Sequence, residues 1–199
     1  MTEKLNGISG SMKSGKTDLL ISRAERLKIA KKNVIIFKPS IDDRWDKNFI
    51  VTRFNNKSFP ATPVRDPEEM IQVVIEMLEK GNKIDEILID EAQLFDSSIV
   101  GAIQILLELD IPVTYAGLAT DFRGEPFGSM PTLLALSDSI KKPTAICEVC
   151  GEDEATRTQR LINGHPANYT DPIILIGDNQ YEARCVKHHE VPGKPKPKI

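Results

Sequence analysis

Residues Gly10-Ser11-Met12-Lys13-Ser14-Gly15-Lys16-Thr17 form a complete GxxxxGK[ST] loop. Such a loop needs a strand before it, to deliver its backbone to a sheet edge, and a helix after it, whose N-terminus faces a bound anion. Both flanks are present. Lys4 to Ser9 reads as a strand, and Lys16 to Ala30 carries apolar residues near helical spacing with a basic outer face. Backbone N–H groups between Gly10 and Gly15 can cradle phosphate oxygens. Lys16 is placed to neutralise the β- and γ-phosphates of a nucleoside triphosphate, and the Thr17 hydroxyl to hold magnesium.

A second signature lies at Ile87-Leu88-Ile89-Asp90-Glu91, an apolar run ending in two carboxylates. A carboxylate at the end of a buried strand emerges at the sheet edge where doubly wound folds bind ligands. Asp90 suits a magnesium-linked role through water. Glu91, one residue on, can accept a proton from an attacking group. That group is water in an ATPase and an acceptor hydroxyl in a kinase, and position alone does not separate the two.

Short apolar runs alternate with helical patterns along the first two thirds of the chain. Asn33 to Phe37, Glu86 to Asp90 and Ile111 to Leu118 read as strands, and Ser97 to Leu109 as a helix. Asp66-Pro67-Glu68-Glu69 is a helix start, with Asp at the N-cap, Pro at N1 and acids in the first turn; that helix stops at Gly81. The alternation predicts an α/β fold, a parallel sheet with helices on both faces. The pattern changes near Pro143, after which short β-like pieces and all three cysteines follow. The expected organisation is a nucleotide-binding domain over 1–143, a small lobe over 144–191, and an extended, poorly ordered Pro/Lys tail over 192–199.

Cys147-x-x-Cys150 and Cys185-x-x-His188 share one ligand-pair spacing, and together they can hold a tetrahedral zinc. His189, one residue further, competes for the fourth position; symmetry with the first pair favours His188. The alternative is three thiols buried as ordinary core residues. A closed four-ligand site is structural, a staple at the base of the intervening loop. An odd cysteine count fits a disulfide framework poorly and suits a reducing, cytoplasmic setting. The net charge of -3 argues against a broad nucleic-acid surface. No signal peptide is apparent, nor any apolar run of about 18 residues that would span a membrane.

Taken in order, Gly10 to Thr17, Asp90-Glu91-Ala92-Gln93, Gly117 to Phe127, Ala155 to Arg160 and Tyr181 to Cys185 resemble the type II thymidine kinases, a family with a P-loop core and a zinc-binding lasso domain. The similarity runs from about Gly7 to His188. It implies transfer of the ATP γ-phosphate to the 5′-hydroxyl of thymidine, with deoxyuridine a poorer acceptor, in nucleotide salvage. In that reading Glu91 is the general base. Gly10 to Thr17, Asp90, Glu91, Ala92 and Gln93 serve ATP and Mg2+, joined by Asp42 and Arg44. Met12, Leu118, Phe122 and Phe127 wall the thymine pocket, Thr158 and Tyr181 reach it from the lasso, and backbone from Ile174 to Tyr181 reads the base. The resemblance also implies a homotetramer, feedback by thymidine triphosphate, and neither nucleic-acid nor membrane partners. Two other readings use the same residues: a P-loop ATPase whose zinc lobe contacts a partner, and a nucleotide-binding regulator without turnover.

Overall fold

A computed structural model describes residues 4–42, 47–52, 57–152, 154–174 and 181–196. Strand β1 (Leu5–Ser9) passes through the glycine loop into helix α1 (Lys16–Ile29). After β2 (Val34–Pro39), strands β3 (Phe49–Val51) and β4 (Ser58–Pro60) pair as an antiparallel arm, and a short β5 (Thr62–Val64) follows. Then come α2 (Pro67–Glu79), β6 (Glu86–Ile89), α3 (Ser98–Glu108), β7 (Val113–Gly117), α4 (Met130–Leu136) and β8 (Ser139–Lys141). Six strands form one sheet in the order β5-β2-β6-β7-β1-β8, every neighbouring pair parallel. The α/β architecture follows from the alternation in the sequence. The three-residue strands β3, β4, β5 and β8 do not, because so short a segment carries no periodicity.

Strand β6 shows why the sheet must be covered twice. Ile87 and Ile89 enter one core with Met70, Val74, Ile99 and Ile103 of α2 and α3. Leu88, between them, enters a second core with Leu20, Ile21 and Ala24 of α1 and Ile50 of the arm. All three β6 residues are fully buried. Burying each contributes about 1.5–3 kcal/mol, so the strand is held firmly up to Asp90. The sole acid within β6, Glu86, is 2% exposed. It accepts from Arg23 of α1 through Nε at 3.0 Å and Nη2 at 2.5 Å, and from the Thr114 hydroxyl of β7 at 2.7 Å. A buried carboxylate requires such pairing, and this one ties α1 across the sheet.

Residues 144 onward build a smaller antiparallel sheet in the order β10-β9-β11, from β9 (Arg157–Ile162), β10 (His165–Pro166) and β11 (Tyr181–Arg184). The start of the Pro/Lys segment is attached to this lobe and to the loop after β7. The Pro192 carbonyl accepts from the Tyr169 amide at 2.8 Å, and Lys194 pairs with Glu125 at 3.0 Å. Among the described residues no helix is long and apolar enough to cross a membrane.

The Asp66 cap is the clearest local test. Its Oδ1 accepts the Glu69 amide at 2.8 Å, and the Glu69 carboxylate returns to the Arg65 amide at 2.7 Å. Asp66→Ala is expected to lower stability by about 1 kcal/mol, with Asp66→Asn close to wild type, as measured by urea denaturation.

Candidate active site and metal cluster

The phosphate loop is shaped by two residues in left-handed backbone, which glycine adopts freely and lysine at a cost. Gly15, which caps α1, has φ 81°, and Lys13 has φ 62°. The turn also packs too closely for a side chain at Gly10, where a Cβ would stand 2.4 Å from the Pro143 carbonyl oxygen. Lys16 folds back so that Nζ donates to the Ser11 carbonyl at 2.7 Å. The Thr17 hydroxyl lies 3.4 Å from Asp90 Oδ2, which brings the two proposed magnesium-side groups together from α1 and the end of β6.

Glu91 leaves β6 through a left-handed residue, φ 49° and ψ 43°. A non-glycine residue there costs about 1–3 kcal/mol and is kept only where its surroundings enforce it. Here the enforcement is visible. The Glu91 amide donates to Asp90 Oδ1 at 3.1 Å. Its carboxylate accepts from Gln93 Nε2 at 2.5 Å, while Gln93 Oε1 accepts the Leu118 amide at 2.9 Å. Gln93 is itself 4% exposed and tightly enclosed. A Cβ at Gly117 would come within 2.6 Å of its Oε1, and one at Gly128 (φ 50°) within 2.9 Å of its carbonyl oxygen. Gln93 therefore orients the carboxylate. Ala92 is fully buried in the main core.

A single cavity gathers Lys16, Thr17, Asp90 and Glu91 with Asp42, Met12 and Leu118, residues taken from four separate stretches of chain. It also gathers two features that sequence reasoning missed. One is Lys38 at the end of β2, 1% exposed, whose Nζ donates to the Phe49 carbonyl at 3.1 Å. Its signal was a lysine closing an otherwise apolar strand. The other is the arm residues Phe49 to Val51, which form one wall. Arg44 lies outside the described residues.

The segment after β7 is a tight turn organised on Asp121, whose Oδ1 accepts the amides of Arg123 and Glu125 at 2.9 and 3.1 Å. This buries Phe122 and leaves Phe127 partly exposed. The Arg160 guanidinium stacks on the Phe122 ring, 3.7 Å from its centroid, and its Nη1 reaches the Pro172 carbonyl. Arg160, wholly buried, was not anticipated; its inward-facing place on β9 two residues after Thr158 was the available hint. Thr158 is buried and accepts the Met12 amide at 3.0 Å, so β9 touches the phosphate loop directly. Tyr181 pairs in register with Arg160, Ile174 is exposed, and residues 175–180 lie outside the described set.

One donor atom from each of Cys147, Cys150, Cys185 and His188 lies within 4.8 Å of the others. His188 Nδ1 is 3.2 Å from Cys185 Sγ and 3.6 Å from Cys147 Sγ. Bonds of about 2.0–2.3 Å to a shared tetrahedral ion place donors roughly 3.3–3.8 Å apart, so three sulfurs and one imidazole fit zinc chemically and in size. Burial opposes ionisation of Cys147, but backbone N–H groups of Cys185, Cys150 and Val149, among others, prevail and bring its thiol to about 5, in the form a metal needs. His189 turns elsewhere: Nε2 donates to the Phe122 carbonyl at 2.8 Å. Its burial favours the neutral ring.

A P-loop whose companion acids stand at the carboxyl edge of a parallel sheet defines a nucleoside-triphosphate-dependent phosphotransferase or hydrolase. The family is more particular. The thymidine kinase family model matches residues 3–189, and the chain belongs to that family. It is 50% identical over 191 residues to a thymidine kinase of Coprothermobacter proteolyticus, covering 96% of this chain and 92% of that one. Among solved structures, AMPPCP-bound DnaA from Aquifex aeolicus overlaps 71% of this chain and 40% of its own, at 15% identity and TM-score 0.40. Domain III of the Thermotoga maritima replication initiation protein DnaA overlaps 71% and 55%, at 12% identity and TM-score 0.40.

The enclosure of Gln93 supplies a test. Gly117→Ala pushes on Gln93 Oε1 and releases its hold on Glu91. Turnover is expected to fall at least about tenfold with helix content unchanged by circular dichroism. Wild-type turnover would show that Gln93 does not position the carboxylate.

Proposed function

We propose that this chain transfers the γ-phosphate of ATP to the 5′-hydroxyl of thymidine, producing thymidine monophosphate for DNA precursor synthesis, with deoxyuridine a poorer acceptor. The single observation that carries the mechanism is the Gln93-held Glu91 carboxylate, beside Asp90 and at the mouth of the phosphate loop. Glu91 takes the proton of the acceptor hydroxyl as that oxygen approaches the γ-phosphorus. Loop N–H groups and Lys16 receive the negative charge spread over the phosphoryl oxygens. Thr17 and Asp90 would hold magnesium, which screens the β- and γ-phosphates when bound. Met12, Leu118, Phe122 and Phe127 suit a flat pyrimidine, since thioether and aromatic walls fit it with little loss of entropy. Thr158 and Tyr181 approach the base from the smaller lobe and help to exclude water, which would otherwise consume ATP.

The cluster at Cys147, Cys150, Cys185 and His188 would hold a structural zinc. Bound there, the ion supplies four bonds between the two ends of the 151–184 segment. The proposed domain organisation follows from this: a kinase domain over 1–143, a zinc-stapled lasso over 144–191, and a tail beyond. A homotetramer, a cytoplasmic location, an absence of nucleic-acid partners, and feedback by thymidine triphosphate in the acceptor pocket complete the reading.

Purified protein given ATP, Mg2+ and thymidine should yield thymidine monophosphate, measured by chromatography. ATP hydrolysis indifferent to thymidine would point instead to an ATPase. Glu91→Gln is expected to lower kcat about 10²–10⁴-fold while ATP binding is retained.

Metal analysis should return one zinc per chain. Removing it with a strong chelator is expected to lower Tm and to raise the KM for thymidine more than that for ATP. A chain without zinc, equally stable and equally active, would remove the staple from the account.

A further inference from the structure

The cysteine lobe does more to the molecule than enclose an acceptor. It grips three consecutive residues of the phosphate loop. The Ser11 hydroxyl donates to the Ala155 carbonyl at 2.7 Å. The Met12 amide donates to the Thr158 hydroxyl at 3.0 Å. Lys13 Nζ donates to both carboxylate oxygens of Glu148, at 2.9 and 2.8 Å. Glu148 sits inside the first metal knuckle, between Cys147 and Cys150. It is also fastened to β11: its Oε1 accepts the Ala183 amide at 2.7 Å, and its own amide donates to the Ala183 carbonyl at 3.0 Å. β11 in turn pairs with β9, Ala183 opposite Thr158, the residue that holds Met12.

We infer that Glu148 is a positioning residue for the ATP site, a joint through which the metal knuckle and β11 hold the phosphate loop in its working shape by way of Lys13. Lys13 occupies a left-handed conformation, φ 62°, in the turn between Gly10 and Gly15. That conformation has a cost in a residue with a Cβ, and an external partner for the side chain offsets it. Glu148 can act as that partner because its own position is fixed twice over by Ala183. An exposed ion pair between two free side chains does little. Here both partners reach solvent, 30% and 38%, but Glu148 is already ordered by Ala183, so less entropy is lost on pairing. The link also joins the two ends of the reaction. β11 begins at Tyr181, which the proposed reading puts on the acceptor side, and ends at Arg184, next to Cys185 of the metal cluster.

This inference rests on the reading of Gly10 to Thr17 as an ATP site, and the experiment separates the two. The proteins compared are wild type, Glu148→Gln, Lys13→Met and the double variant, each with zinc content and Tm determined. The readouts are ATP affinity, titrated with a fluorescent ATP analogue, and the KM values for ATP and thymidine. Glu148→Gln keeps an acceptor for the Ala183 amide and removes only the charge that faces Lys13. It should weaken ATP binding about three- to tenfold, with zinc retained and the thymidine KM within about twofold of wild type. Lys13→Met should do at least as much, and the double variant should be no worse than Lys13→Met alone. Full ATP affinity in Glu148→Gln, or losses that simply multiply in the double variant, overturns the inference. So does loss of zinc or of folding in Glu148→Gln, which would mark a merely structural role. Failure of the wild-type protein to bind ATP sinks the underlying reading instead.

Discussion

The structure depends on β6 being buried on both of its faces. Ile87 and Ile89 enter one core and Leu88 the other, so the strand cannot slip by a residue without placing Glu86 or Asp90 in apolar surroundings. With its register fixed, the chain must leave the sheet at Asp90, at the edge where β1, two strands away, delivers the phosphate loop. Thr17 and Asp90 then face one another. The chemistry of the site is thus a consequence of where apolar side chains are satisfied.

Beyond Asp90 the constraint changes from burial to hydrogen bonding. Glu91 is held in a costly backbone conformation by groups that have few alternatives: a buried glutamine enclosed by Gly117 and Gly128, and the Asp90 carboxylate. A carboxylate placed in this way is ready before a substrate arrives. A base that has to be ordered during the reaction gives up part of its effect to that ordering. Lys38 joins Lys13 and Lys16 against the four acids that line the cavity, which moderates the repulsion an anionic ligand would meet.

The smaller lobe is joined to the larger through the active site itself. Ser11, Met12 and Lys13 bond to Ala155, Thr158 and Glu148. Further along, Arg160 and His189 reach Phe122 through its ring face and its carbonyl. Loosening the metal cluster would therefore disturb the phosphate loop and the turn after β7 together.

Much of this could be read from the chain. The glycine loop, the acid pair after an apolar run, and the two ligand pairs each have a local physical cause, because spacing along a strand, turn or helix is set by backbone geometry. The α/β class followed for the same reason. Lys38, Arg160, the arm of β3 and β4, and the grip of Glu148 on Lys13 were not legible. Each depends on a partner that the local pattern does not specify, and nothing in a lysine, an arginine or a three-residue strand announces that partner. The adjacent histidines show the division most clearly. Both carry the same ring and differ by one position, so spacing could favour His188 without excluding His189. Only the folded chain, by turning one imidazole toward three sulfurs and the other toward the Phe122 carbonyl, gave them different work.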